Sequence, residues 1–113
     1  MKQFFFILLL TLGFEAQDTR KEKEIPDDGL IIIEYNAPFN LSNSYEGFNS
    51  LSGVKKTKVC IEQNPQKRKD LKIKNVPTLI LFLDNIEVYR WRAGLDMKIH
   101  ASTSDVQKVI DSF

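Results

Sequence analysis

The chain has 113 residues, 42% of them hydrophobic and 27% charged, with 16 basic against 15 acidic side chains and a formal net charge of +1. That is enough for one globular domain with a real core, and it excludes a disordered or fibrous chain. So small a net charge gives no overall field for holding nucleic acid or an anionic membrane, so no nucleic-acid partner is expected.

Lys2 is followed by an apolar run over residues 4–10, which extends to residue 14 across Thr11 and Gly13. This length suits the core of a signal peptide and is too short for a membrane span of ~20 residues. Residues 1–16 are read as a signal peptide, which implies a periplasmic or secreted protein and leaves no membrane span in the mature chain. The cleavage site stays open, because Thr11 with Gly13 fits the small-x-small rule better than Phe14 with Ala16 does. A buried N-terminal strand or helix is the alternative reading of the same residues. No cysteine follows the apolar run, so a lipid-anchored cysteine is excluded. Residues 17–29, charged and closed by Pro26 and Gly29, read as a solvated lead-in.

The folded unit is expected over residues 30–113. LIIIEY, from Leu30, is an uninterrupted apolar run of the kind found in strands covered on both faces. The next segment places Leu41, Tyr45, Phe48 and Leu51 at helical spacing, with Asn40 or Ser42 able to cap its start and Gly53 its end. Gly47 and the many Ser and Asn residues make this a weak helix that depends on tertiary packing. TKVCIE reads as a strand. Asn64 and Pro65 then open a short helix as cap and first helical residue.

TLILFL and EVYRWR, joined by Asp84-Asn85, read as an antiparallel hairpin. Leu95, Met97, Ile99 and Ala101 alternate with polar residues and suggest one more extended segment. The chain closes with an amphipathic helix, where Ser104 and Gln107 have capping-box spacing and Val106, Val109, Ile110 and Phe113 share a face.

This order of strand, helix, strand, helix, strand, strand, helix, with NVPT just before the hairpin, resembles the thioredoxin family from about Leu30 to Phe113. IIIEYNAPF is similar to the strand entering a thioredoxin active site, IEQNP to the stretch before the next helix, NVPTLILF to the cis-proline and its strand, and Gly94 to the glycine ending the hairpin. The resemblance implies an α/β thioredoxin-like three-layer sandwich, with a mixed central sheet of about four strands flanked by helices. The lead-in is too short for the family's first strand and helix.

Where the family carries Cys-x-x-Cys at a helix start, whose N-H groups and dipole lower a thiol pKa, this chain has Asn40 and Asn43. A carboxamide can cap a helix but cannot attack a disulfide, so two-cysteine exchange is not expected. Phe39 stands where the family has tryptophan. Glu34 and Lys58 match the family's buried acid and its neighbouring lysine. They are read as a partly buried ion pair, since removing one partner strands the other, with a relict of acid-base machinery as the alternative.

Pro77 matches the cis-proline, which exposes the preceding backbone to an extended peptide; Phe39, Asn40, Val76 and Pro77 are therefore candidates to line a peptide groove. A proline serving only the strand start is the competing reading.

Export implies an oxidising compartment, but Cys60 is the single cysteine and cannot form an internal disulfide. It reads as a small half-buried hydrophobe, with an intermolecular disulfide or single-thiol exchange as alternatives. One cysteine and one histidine, His100, cannot make a zinc site of the usual type, and neither a metal nor another cofactor is expected. His100 has no G-x-S-x-G elbow to serve, so a hydrolase is not expected. Residues 55–74 carry an excess of basic side chains that either meet an acidic partner or form a solvated face. Asn40-Leu41-Ser42 is also a glycosylation sequon, meaningful only in a eukaryotic secretory pathway. The expected function is an exported, redox-inactive module that binds an unknown protein or extended peptide.

Overall fold

The computed structural model describes residues 29–113; the expected signal peptide and the lead-in up to residue 28 lie outside the described residues. Four strands, β1 (Leu30–Asn36), β2 (Lys55–Cys60), β3 (Thr78–Leu83) and β4 (Ile86–Arg92), form one sheet in the order β2-β1-β3-β4. β2 runs parallel to β1, while β3 is antiparallel to both β1 and β4, so the sheet is mixed.

Alternate side chains of β1 leave opposite faces of the sheet, and both faces are covered. Ile31, Ile33 and Tyr35 join Ile61, Ile73, Val76 and Ile80 on one face. Ile32 joins Tyr45, Phe48, Leu79, Trp91, Val106 and Ile110 on the other. This double coverage explains why β1 and β3 are apolar without interruption. α2 (Thr103–Asp111) packs on the second face through Val106 and Ile110, and α1 (Pro65–Asp70) leads into Leu71 and Ile73, which pack on the first. The expected three-layer α/β architecture is therefore present.

The hairpin turn forms as the sequence indicates. Asp84 and Asn85 have φ of 50° and 71°, the left-handed pair of a type I′ turn that matches the twist of two antiparallel strands. Asp84 also accepts a bond from the Gly29 N-H at 2.7 Å, tying the turn to the start of β1.

Four expectations are corrected. Residues 41–53 form no α-helix; the segment has two short 3-10 helices, Pro38–Asn43 and Phe48–Ser50, neither capped by a side chain. Tyr45, Phe48 and Leu51 are buried as expected, but Leu41 is 61% exposed. Helix formers are scarce here, and tertiary contacts of three aromatic or aliphatic anchors decide the path instead. Gly53, with φ of 74°, turns the chain into β2.

Asn64 precedes α1, yet its amide donates back to the Cys60 carbonyl at 2.9 Å and does not cap the helix. Residues 95–101 are not extended. The Met97 N-H donates to the Gly94 carbonyl and the Gly94 N-H to the Lys98 carbonyl, folding a turn that leaves only Ile99 and Ala101 packed inward. Finally, α2 is capped by Ser102, whose hydroxyl accepts from the Asp105 N-H at 3.0 Å, rather than by Ser104. Gln107 is engaged elsewhere, exchanging two bonds with the backbone of Ser52, and Phe113 lies exposed beyond the helix end.

Candidate functional site

β1 ends at Asn36, and Pro38 fixes the backbone for a tight 3-10 turn that carries Phe39 outward and Asn40 inward. Phe39 is 67% exposed, whereas Asn40 is 2% exposed. The Asn40 amide nitrogen lies 3.2 Å from Asn36 Oδ1, 3.1 Å from the Val76 carbonyl and 3.2 Å from the Met97 carbonyl. Its Oδ1 accepts from the Asn43 amide at 2.7 Å. The two asparagines at the expected positions are thus bonded to each other, and one of them joins three separate segments of chain.

Asn36 completes the arrangement. Its Oδ1 also accepts from the Ala37 N-H at 2.9 Å, and its Nδ2 donates to the Asn40 carbonyl at 3.2 Å and to Ser44 Oγ at 3.4 Å. Sequence reasoning did not single out Asn36. The available signal was its parity: two residues after Glu34 on a strand, it shares the face from which Glu34 projects.

The Val76-Pro77 peptide bond is cis. The loop is braced on both sides, by Thr78 Oγ1 donating to the Asn75 carbonyl at 2.6 Å and by the Asn75 amide donating to the Ala93 carbonyl at 3.3 Å. A cleft of about 280 Å³ opens beside Val76, lined among others by Phe39, Arg68, Lys74, Leu95 and Met97. Leu95 is fully exposed and Met97 partly so. Of the four groove candidates, Phe39 and Val76 line this cleft. Pro77 is fully buried, and Asn40 lies behind the cleft with its amide committed to internal bonds. Leu95 and Met97 were not expected in the groove, because alternation pointed to an extended segment where the chain turns.

Glu34 is 1% exposed on a central strand and lies 3.7 Å from Lys58 Nζ, whose side chain is 52% exposed. Its Oε2 accepts from the Tyr45 N-H at 2.8 Å, holding the loop after Asn43 against the sheet. The Tyr45 hydroxyl donates to the Ala101 carbonyl at 2.8 Å, and burial raises its pKa above the ordinary value. Cys60, a free and half-buried cysteine, lies opposite Asn36 in the β1/β2 register.

His100 is at the surface, 2.7 Å from Asp96, and its hydrogen bond is the main cause holding the Asp96 carboxyl below its usual range. Among the described residues no group of three or more His, Cys, Asp or Glu is placed to hold a metal ion. Chemically, the arrangement offers carboxamides, an ion pair and an apolar cleft. A carboxamide supplies donors and an acceptor but neither a nucleophile nor an electron pair for exchange.

No protein-family model matches the chain, and no curated protein matches it. Solved structures do match. A mutant thioredoxin from Halobacterium salinarum is 18% identical, with a TM-score of 0.61, over 77% of this chain and 76% of that one. Thioredoxin from Fasciola hepatica is 20% identical with a TM-score of 0.55, over 76% of this chain and 82% of that one. A mutant thioredoxin from Entamoeba histolytica is 21% identical with a TM-score of 0.58, over 76% and 83%. The likeness is one of fold: residues 29–113 adopt the thioredoxin-like α/β fold with a single cysteine. No helix among the described residues is long and apolar enough to cross a membrane.

Proposed function

We propose that this chain is an exported protein that uses a thioredoxin-like fold for binding instead of disulfide exchange, and that it takes an extended peptide or protein segment in the cleft beside Val76. The observation that carries this reading is the juxtaposition at that cleft. Exposed Phe39, Leu95 and Met97 surround it, while the buried Asn40 amide is committed to bonds with the Val76 and Met97 carbonyls. Exposed aromatic and aliphatic side chains around a concavity are the usual anchors of a binding surface. Arg68 and Lys74 on the same cleft favour a segment that combines an apolar side chain with acidic neighbours.

Binding is tested on an array of short peptides that vary an apolar residue between acidic ones. Phe39→Ser and Leu95→Asp each change an exposed side chain, so the fold is expected to survive, as read by fluorescence of the buried Trp91. Each is expected to weaken binding about tenfold or more, the loss of one apolar anchor. Equal binding by the variants would exclude this cleft. For the chemistry, reduction of a model protein disulfide beyond one equivalent per chain should not rise above that of a Cys60→Ser variant; multiple turnover above that level would restore an exchange function. Export is tested separately, by sequencing the N-terminus of the protein recovered from its native host.

A further inference from the structure

A second pocket, of about 310 Å³, lies on the sheet face that carries Glu34; its lining includes Glu34, Asn36, Pro38, Leu41, Lys58 and Cys60. Parallel pairing sets Glu34 opposite Lys58 and Asn36 opposite Cys60, so these four side chains leave the same face of the sheet.

The carboxylate in this pocket is incompletely satisfied. Glu34 is 1% exposed, and its Oε2 is bonded to the Tyr45 N-H, but its Oε1 has no hydrogen-bond partner among the described residues. Lys58 Nζ, at 3.7 Å, provides opposite charge but stands beyond hydrogen-bonding range, and it lies 5.3 Å from the Phe48 ring centroid. A buried carboxylate oxygen without a donor is costly, so a ligand that brings a charged donor gains more here than at the surface. Ala37, Pro38, Leu41 and Val59 in the same lining are apolar and suit a short methylene chain. Cys60 adds a nucleophilic atom on the same face.

We propose that this pocket is a modification site, in which Cys60 takes up a small amine-bearing thiol as a mixed disulfide and the ammonium group of that thiol donates to Glu34 Oε1. The co-reactant is a low-molecular-weight disulfide carrying amino groups. The Cys60 thiol gives its proton to solvent, and the thiolate sulfur attacks one sulfur of the co-reactant. One S-S bond forms as the other breaks. The electron pair leaves on the second sulfur, which takes a proton from water and departs as a free aminothiol. The site is independent of the peptide cleft and stands or falls without it.

The test uses the full chain and two probes of matched length, bis(2-aminoethyl) disulfide and bis(2-hydroxyethyl) disulfide. Adduct formation is followed by intact mass, and the ratio of the two rates is divided by the same ratio on free N-acetylcysteine amide. The expected corrected ratio is about tenfold in favour of the amine, the size of one hydrogen bond to a charged group. It should fall to about one in Glu34→Gln, which keeps the shape and removes the charge. Cys60→Ser should form no adduct. Should Glu34→Gln fail to fold, Lys58→Gln, which alters a half-exposed side chain, provides the second arm: removing the competing cation should raise the ratio. A corrected ratio near one in the unaltered chain, a ratio unchanged by Glu34→Gln, or a ratio lowered by Lys58→Gln would each overturn the proposal.

Discussion

Asn40 shows how one buried side chain can tie three segments of chain together. It lies buried where the resemblance to thioredoxins places the first cysteine, and its amide binds Asn36, Val76 and Met97 while accepting from Asn43. Truncation would leave several buried polar groups without partners, each costing about 1–3 kcal/mol. Asn40→Ala is therefore expected to destabilise the fold by about 2–4 kcal/mol, read as a shift in the denaturant midpoint of Trp91 fluorescence. Asn43, less enclosed and contributing one bond here, should cost about 1 kcal/mol when changed to Ala. Equal effects would mean that burial does not set the difference. Residue identity gives carboxamides at positions 40 and 43, and only the resemblance to thioredoxins aligns them with a pair of thiols. The sequence did not show that the Asn40 amide bonds inward, because Val76 and Met97 come from distant segments whose approach is set by the packing of the whole chain.

At the scale of elements, the segment from Pro38 to Leu51 is the least legible. Tyr45, Phe48 and Leu51 are three residues apart, a spacing that suits a 3-10 turn as well as one face of an α-helix, so the pattern identified the buried residues and not the type of helix. Gly47 explains part of the choice: a Cβ at this position would collide with the Thr103 side chain at the start of α2. Gly47→Ala should accordingly cost about 1–3 kcal/mol through forced displacement of that contact, measured by chemical denaturation. A neutral substitution would show that the segment can shift freely.

Tyr45 joins the same segment to the strap before α2 through the Ala101 carbonyl. Burial is the largest cause of its raised pKa, above the ordinary 10.0. The folded chain holds this proton more tightly than the unfolded chain, so the associated stability is present below pH 10.0 and is lost as pH rises through the folded value. The alkaline loss of stability should be smaller in Tyr45→Phe, which should also be about 1 kcal/mol less stable at neutral pH for want of the hydrogen bond. Identical alkaline profiles for the two proteins would contradict this assignment.

For the molecule as a whole, the order of elements was readable because each signal has a local cause. Continuous apolar runs mark β1 and β3, Pro65 starts α1, and Asp84-Asn85 supplies the left-handed turn between β3 and β4. The cleft was only half readable: Phe39 and Val76 lie on it, but Leu95 and Met97 reach it through a turn that alternating polarity disguised. The central claim is that binding occurs at this cleft and uses no thiol chemistry. It is tested most directly by fluorescence anisotropy of a labelled peptide with the unaltered chain and Cys60→Ser, each under reducing and oxidising conditions. Equal Kd in all four measurements is predicted, whereas affinity that depends on Cys60 or on the redox state would contradict the claim.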